Sequence, residues 1–66
     1  MEHYTHYTIL DSNGYPVGSV FATKVELSDG HYNFFKGSDV GMIGTAWYGY
    51  KNCETGQIVR LSDLIL

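Results

Sequence analysis

Turn signals recur along this chain at short intervals, and they leave room for little besides short strands. Asp11-Ser12-Asn13-Gly14 ends in the Asn-Gly pair favoured in type I′ hairpin turns, where both central residues need positive φ. Ser28-Asp29-Gly30-His31 carries Asp-Gly, a signal of the same kind. Asn52-Cys53-Glu54-Thr55-Gly56 ends in a glycine suited to the left-handed position of a longer hairpin loop. Gly37-Ser38-Asp39 marks a looser break, and Pro16 stands at a strand start, where a missing N–H is tolerated. No window of a dozen residues keeps a 3.6-residue apolar period without a glycine. The one helical feature expected is a short turn over Ser62-Asp63-Leu64-Ile65-Leu66, which Ser62 would cap.

The segments between the turns have strand character. Val25 and Leu27 alternate with Lys24, Glu26 and Ser28; Tyr32 and Phe34 alternate with His31 and Asn33. Residues 4–10, 17–22 and 43–50 are rich in aromatic and β-branched side chains. Five or six strands are predicted, over 3–10, 15–22, 23–28, 31–36, 41–50 and 57–62. The second and third can also be one long strand bent near Ala22-Thr23. The fold class is mainly β: a small antiparallel meander in a single domain, 1–66, whose apolar side is hidden by curling into a partial barrel or by a second copy of the chain. The expected core is Ile9, Val17, Val20, Phe21, Val25, Leu27, Tyr32, Phe34, Ile43, Trp47, Ile58, Val59 and Leu61.

Composition excludes several classes of function. Seven acids against four bases leave a net charge of −3. The bases Lys24, Lys36, Lys51 and Arg60 are scattered, whereas nucleic-acid binding needs a basic face. No apolar run reaches the ~18 residues a membrane helix requires. Residues 1–10 lack the basic and apolar regions of a signal peptide. Cys53 is the single cysteine, so neither an internal disulfide nor a cysteine-based zinc site is expected. The chain reads as a soluble protein of a reducing compartment.

Candidate chemistry is sparse. His3, His6 and His31 would need to converge to hold a metal, but His3 and His6 point to opposite faces if they share a strand. Cys53 is expected in a hairpin loop beside Asn52 and Glu54, without the neighbouring base and pocket a nucleophile needs. Gly37, Gly41 and Gly44 are not followed by the lysine of a phosphate-binding loop. No catalytic, metal or cofactor-binding residue is therefore nominated, and the expectation is a non-enzymatic protein.

Two surface features remain. Tyr4, Tyr7, Tyr15, Tyr48 and Tyr50, with Trp47 and Phe35, form a set too large for a thin core. They either grip a partner or line a sheet with ring buried and hydroxyl wet. The acids Glu2, Asp11, Glu26, Asp29, Asp39, Glu54 and Asp63 fall largely in turns, where backbone chemistry alone accounts for them; the sharper alternative is one acidic patch that mimics phosphates. In size, acidity and β-rich character alone, with no motif, the chain resembles phage-encoded anti-CRISPR proteins; Asp11, Glu26, Asp29, Asp39 and Glu54 are nominated for a DNA-mimic face, with Tyr48 and Tyr50 as anchors. That resemblance implies an inhibitor in the bacterial host cytoplasm. It would occupy the basic nucleic-acid-binding surface of a Cas effector complex as a DNA mimic, as a monomer or homodimer and with no direct nucleic-acid contact. The competing expectation is an assembly module that self-associates through a tyrosine-rich sheet face.

Overall fold

The computed structural model describes residues 3–37 and 41–63. Among these, seven strands run in chain order: β1 (Thr5–Leu10), β2 (Pro16–Ala22), β3 (Lys24–Ser28), β4 (His31–Phe35), β5 (Met42–Ala46), β6 (Gly49–Asn52) and β7 (Ile58–Arg60). A single 3-10 turn, Leu61–Asp63, follows. The strands form two antiparallel sheets, ordered β2-β1-β6-β7 and β3-β4-β5, which do not close into a barrel. The mainly-β, antiparallel architecture is as expected. Its strands number seven, however, and they divide between two sheets.

Three local features produce that division. The first is a corner at Thr23. β2 and β3 are one extended run broken by this residue, as the bend near Ala22-Thr23 anticipated. Its backbone N–H donates to the carbonyl of Phe35 at 2.8 Å. Its hydroxyl donates to the same oxygen at 3.1 Å and accepts the N–H of Gly37 at 2.7 Å. A strand that turns such a corner can leave one sheet and enter the other.

The second feature is a break inside the expected strand 41–50. β5 ends at Ala46, Trp47 and Tyr48 carry the chain across, and β6 starts at Gly49. β6 then pairs with β1, Leu10 opposite Gly49 and Tyr7 opposite Asn52, so the sheet is not a simple meander. Gly49 is required there because a β-carbon would overlap the carbonyl oxygen of Val59 on β7.

The third is the first hairpin. Gly14 has φ +87°, but no other residue of that turn has positive φ, so it is not type I′. Gly14 N–H donates to Asp11 O, and Asp11 N–H donates to Tyr15 O, both at 2.9 Å. That is the pattern of a type I turn followed by a left-handed glycine. The Asp11 carboxylate selects it, because Oδ1 accepts the N–H groups of both Asn13 and Tyr15 at 2.9 Å. The second hairpin does have two positive φ values, at Asp29 and Gly30.

The core is aromatic. Tyr7, Ala22, Tyr32, Phe34 and Ala46 are its buried centre, with Ile9, Val20, Val25, Tyr50, Val59 and Leu61 packed against it. The Tyr50 ring meets those of Tyr7, Tyr32 and Phe34 edge-on at 5.4, 5.1 and 5.8 Å. Rings fill this small core, and six side chains expected in it lie outside. Val17, Phe21, Leu27, Ile43, Trp47 and Ile58, all expected in the core, are exposed. Phe21 instead stacks on His6 across the β1–β2 ladder, with ring centroids 4.5 Å apart. Of the expected C-terminal turn, residues 64–66 lie outside the described residues; Ser62 and Asp63 are in the 3-10 turn. No helix among the described residues is long and apolar enough to cross a membrane.

Candidate functional site

The two residues that bridge the sheets also wall a surface cleft of about 310 Å³. Trp47 and Tyr48 form one side, Leu61 contributes apolar surface, and Arg60, Asp11 and Ser12 supply polar groups. The fold brings these together for backbone reasons. Leu61 N–H donates to the carbonyl of Tyr48 at 2.7 Å, tying the end of β7 to the connection. Arg60 pairs with Gly49, next to Leu10 and the Asp11 turn. The Arg60 guanidinium reaches over Gly14 of that turn. The His31 ring lies 4.5 Å from that of Trp47, tilted by 47°.

Trp47 and Tyr48 are 56% and 47% exposed. Trp, Tyr and Arg are the residue types that dominate binding hot spots; Trp and Tyr bury much area at low entropic cost, and all three offer a polar handle. The cleft therefore has the chemistry of an anchor site. It holds no thiol or imidazole among its lining residues, and one oxygen of its carboxylate is already committed to two backbone N–H groups.

The nominated residues scatter. Asp11 and Tyr48 line the cleft. Glu26 is on β3 and pairs with Lys24 at 3.3 Å. Asp29 is exposed in the β3–β4 turn with φ 52°. Glu54 lies in the β6–β7 loop, 3.2 Å from His3 Nε2. Because β1 and β6 are antiparallel, that loop and the Asp11 turn are at opposite ends of one sheet. Asp39 lies outside the described residues. The nominated acids among the described residues thus form no single patch. Tyr50 is not a surface anchor: its ring is the hub of the core, and burial raises its pKa, with the neighbouring Tyr7 hydroxyl adding to the shift.

The tyrosines as a group go inward more than expected. Tyr7 and Tyr32 are buried and Tyr50 half-buried, so these three do not present a tyrosine-rich sheet face. Tyr15 and Tyr48 are the exposed ones. Tyr32 carries the buried hydroxyl without a hydrogen-bond partner among the described residues. Its pKa is raised, first by burial and then by Tyr50 and Asp63.

The histidines go to three different places: His3 beside Glu54, His6 on Phe21 and His31 on Trp47. Cys53 is exposed in the β6–β7 loop, with Sγ 3.2 Å from the Thr8 hydroxyl. Of the cleft residues outside the nominated set, Trp47 stands both in the expected core and in the ring set, and Arg60 only among the scattered bases. A signal existed for the first: two bulky rings between Ala46 and Gly49 interrupt the small-residue spacing of the expected strand. Arg60 had none, since its neighbours in the cleft are distant in sequence.

Comparison with protein-family models, with curated proteins and with solved structures finds no match to the chain.

Proposed function

We propose that this chain is a non-enzymatic binding protein that acts by occupying a surface of another protein. The observation that carries it is the placement of two large, half-exposed rings, Trp47 and Tyr48, beside Arg60 around one cleft. Rings held outside by backbone geometry cost the free chain exposed apolar surface, and covering them with a partner recovers it.

The partner class is a protein with a basic face. A net charge of −3 supports this, acting through steering rather than through one contact patch. Glu26 and Glu54 already hold cationic or imidazole partners, so Asp29 is the nominated acid freest to contribute. In its sharpest form the partner is the nucleic-acid-binding surface of a Cas effector complex, in the manner of anti-CRISPR inhibitors. Size and acidity support that form.

The test is binding of the purified chain to a panel of Cas effector complexes by interferometry, across a salt series. The expected result is affinity for one effector that falls with salt. A Trp47→Ala, Tyr48→Ala double variant should lose at least tenfold while its circular dichroism is unchanged. Binding that ignores the double substitution would remove the cleft from the mechanism, and absence of binding across the panel would remove the effector reading.

A further inference from the structure

Each sheet has two edge strands, and they differ in how they are protected. An unpaired edge offers a row of free N–H and C=O groups to any passing strand, and proteins blunt it with charges or by keeping it short. β7 is three residues long and ends in Arg60. β3 carries Lys24 and Glu26. β2 and β5 carry no charge at all. Of the two, β2 is the longer, seven residues, and its Val17 and Phe21 are 62% and 60% exposed. A β-carbon on Gly18, between them, would meet nothing within 4 Å.

We propose that β2 is the interface of a symmetric homodimer, pairing antiparallel with β2 of a second copy about a two-fold axis at Ser19. The occupant follows from self-complementarity. That register sets Val17 opposite Phe21 of the second copy, Ser19 opposite Ser19, and Phe21 opposite Val17. Both exposed apolar residues are used, and each in a cross-strand aliphatic–aromatic pair, which stabilises sheets. Pro16, which has no N–H to give, falls at the end of the ladder opposite Ala22, where none is needed.

Charge is compatible with the same edge. Two copies of a chain with net charge −3 repel, and an uncharged strand lets them meet with no charge at the seam. The β3 edge would bury Lys24 and Glu26 instead. A standard interface takes about 800 Å² from each partner, so surface beside the strand has to join the pairing. Beside the edge, a cleft of about 280 Å³ between β2 and β5, floored by Phe34 and bordered by Ile43 and Gly44, adds apolar surface to the strand pairing.

Sedimentation velocity of the full chain over two decades of concentration tests the proposal. The expected result is a dimer for the wild type and a monomer for Ser19→Lys, which puts two ammonium groups at the axis, with far-UV circular dichroism unchanged. A wild type that stays monomeric throughout, or a folded Ser19→Lys chain that stays dimeric, overturns it. Should Ser19→Lys fail to fold, hydrogen exchange on the wild type decides. Protection of the 17–21 amides that rises with concentration supports the dimer. Protection independent of concentration overturns it.

Discussion

The Nη2 atom of Arg60 lies 2.6 Å from the point where a β-carbon on Gly14 would stand. The first hairpin and the last strand therefore meet through a residue with no side chain. Glycine is favoured at this position by its φ of +87°, which disfavours any L side chain. The flexible guanidinium can yield, so the conformational term dominates. Gly14→Ala should cost about 1–2 kcal/mol in urea denaturation, and Gly14→Asn less, since Asn tolerates the left-handed region. Equal losses for the two would show that the Arg60 contact, not φ, sets the requirement.

Gly49 presents the opposite balance. Its obstruction is the backbone of Val59 and Arg60, which cannot swing aside as a side chain does. Gly49→Ala must push β7 off β6. A loss of about 3 kcal/mol is expected from overpacking of this kind, together with weaker binding at the cleft that β7 helps to build. A thermal midpoint equal to wild type would mean that β7 is not held against β6 as described.

Thr23 holds the corner between the sheets with a hydroxyl that donates to Phe35 O and accepts from Gly37 N–H. Thr23→Val keeps the shape and removes both bonds. The backbone N–H of Gly37 loses its acceptor in a half-buried setting. A loss of about 1–3 kcal/mol is expected, whereas Thr23→Ser should keep most of the stability. If Val and Ser substitutions behave alike, the hydroxyl does not hold the corner.

Tyr32 is a test in the other direction. Its hydroxyl is buried with no partner among the described residues, so deleting it removes a desolvation cost and no bond. Tyr32→Phe should be as stable as wild type at neutral pH, or more stable.

The pH dependence of Tyr32 has a definite sign. Its folded pKa is raised above the ordinary 10.0, chiefly by burial. Below pH 10 both states are protonated and its contribution is fully present. Above it the unfolded chain ionises first, binds fewer protons than the folded one, and is favoured. Stability should therefore fall as pH climbs beyond 10, with Tyr50, raised for the same reason, contributing in the same direction. Urea midpoints taken at about pH 8 and about pH 11 measure this. The drop should be smaller in Tyr32→Phe than in wild type. An equal drop would place the responsible phenol elsewhere.

Turns and alternation are legible in the sequence alone. The positive φ values at Asp29-Gly30 and Gly56 rest on turn chemistry within a few residues, and the alternation that puts Tyr32 and Phe34 on one face rests on strand periodicity; each stands where local rules place it. Which side of a strand is wet is not a local matter. Trp47 and Phe21 look like core residues by type, and Tyr50 looks like a surface anchor, yet their places are exchanged. The pairing of β6 with β1 rather than with β5 decides that exchange. It draws Tyr50 among three rings and leaves Trp47 on the connection between sheets. Such a pairing joins residues some forty positions apart, and its free energy comes from burying rings jointly, a quantity no single segment of chain contains. The cleft of Asp11, Tyr48 and Arg60 has the same origin: three distant pieces of sequence, adjacent only once the sheets have formed.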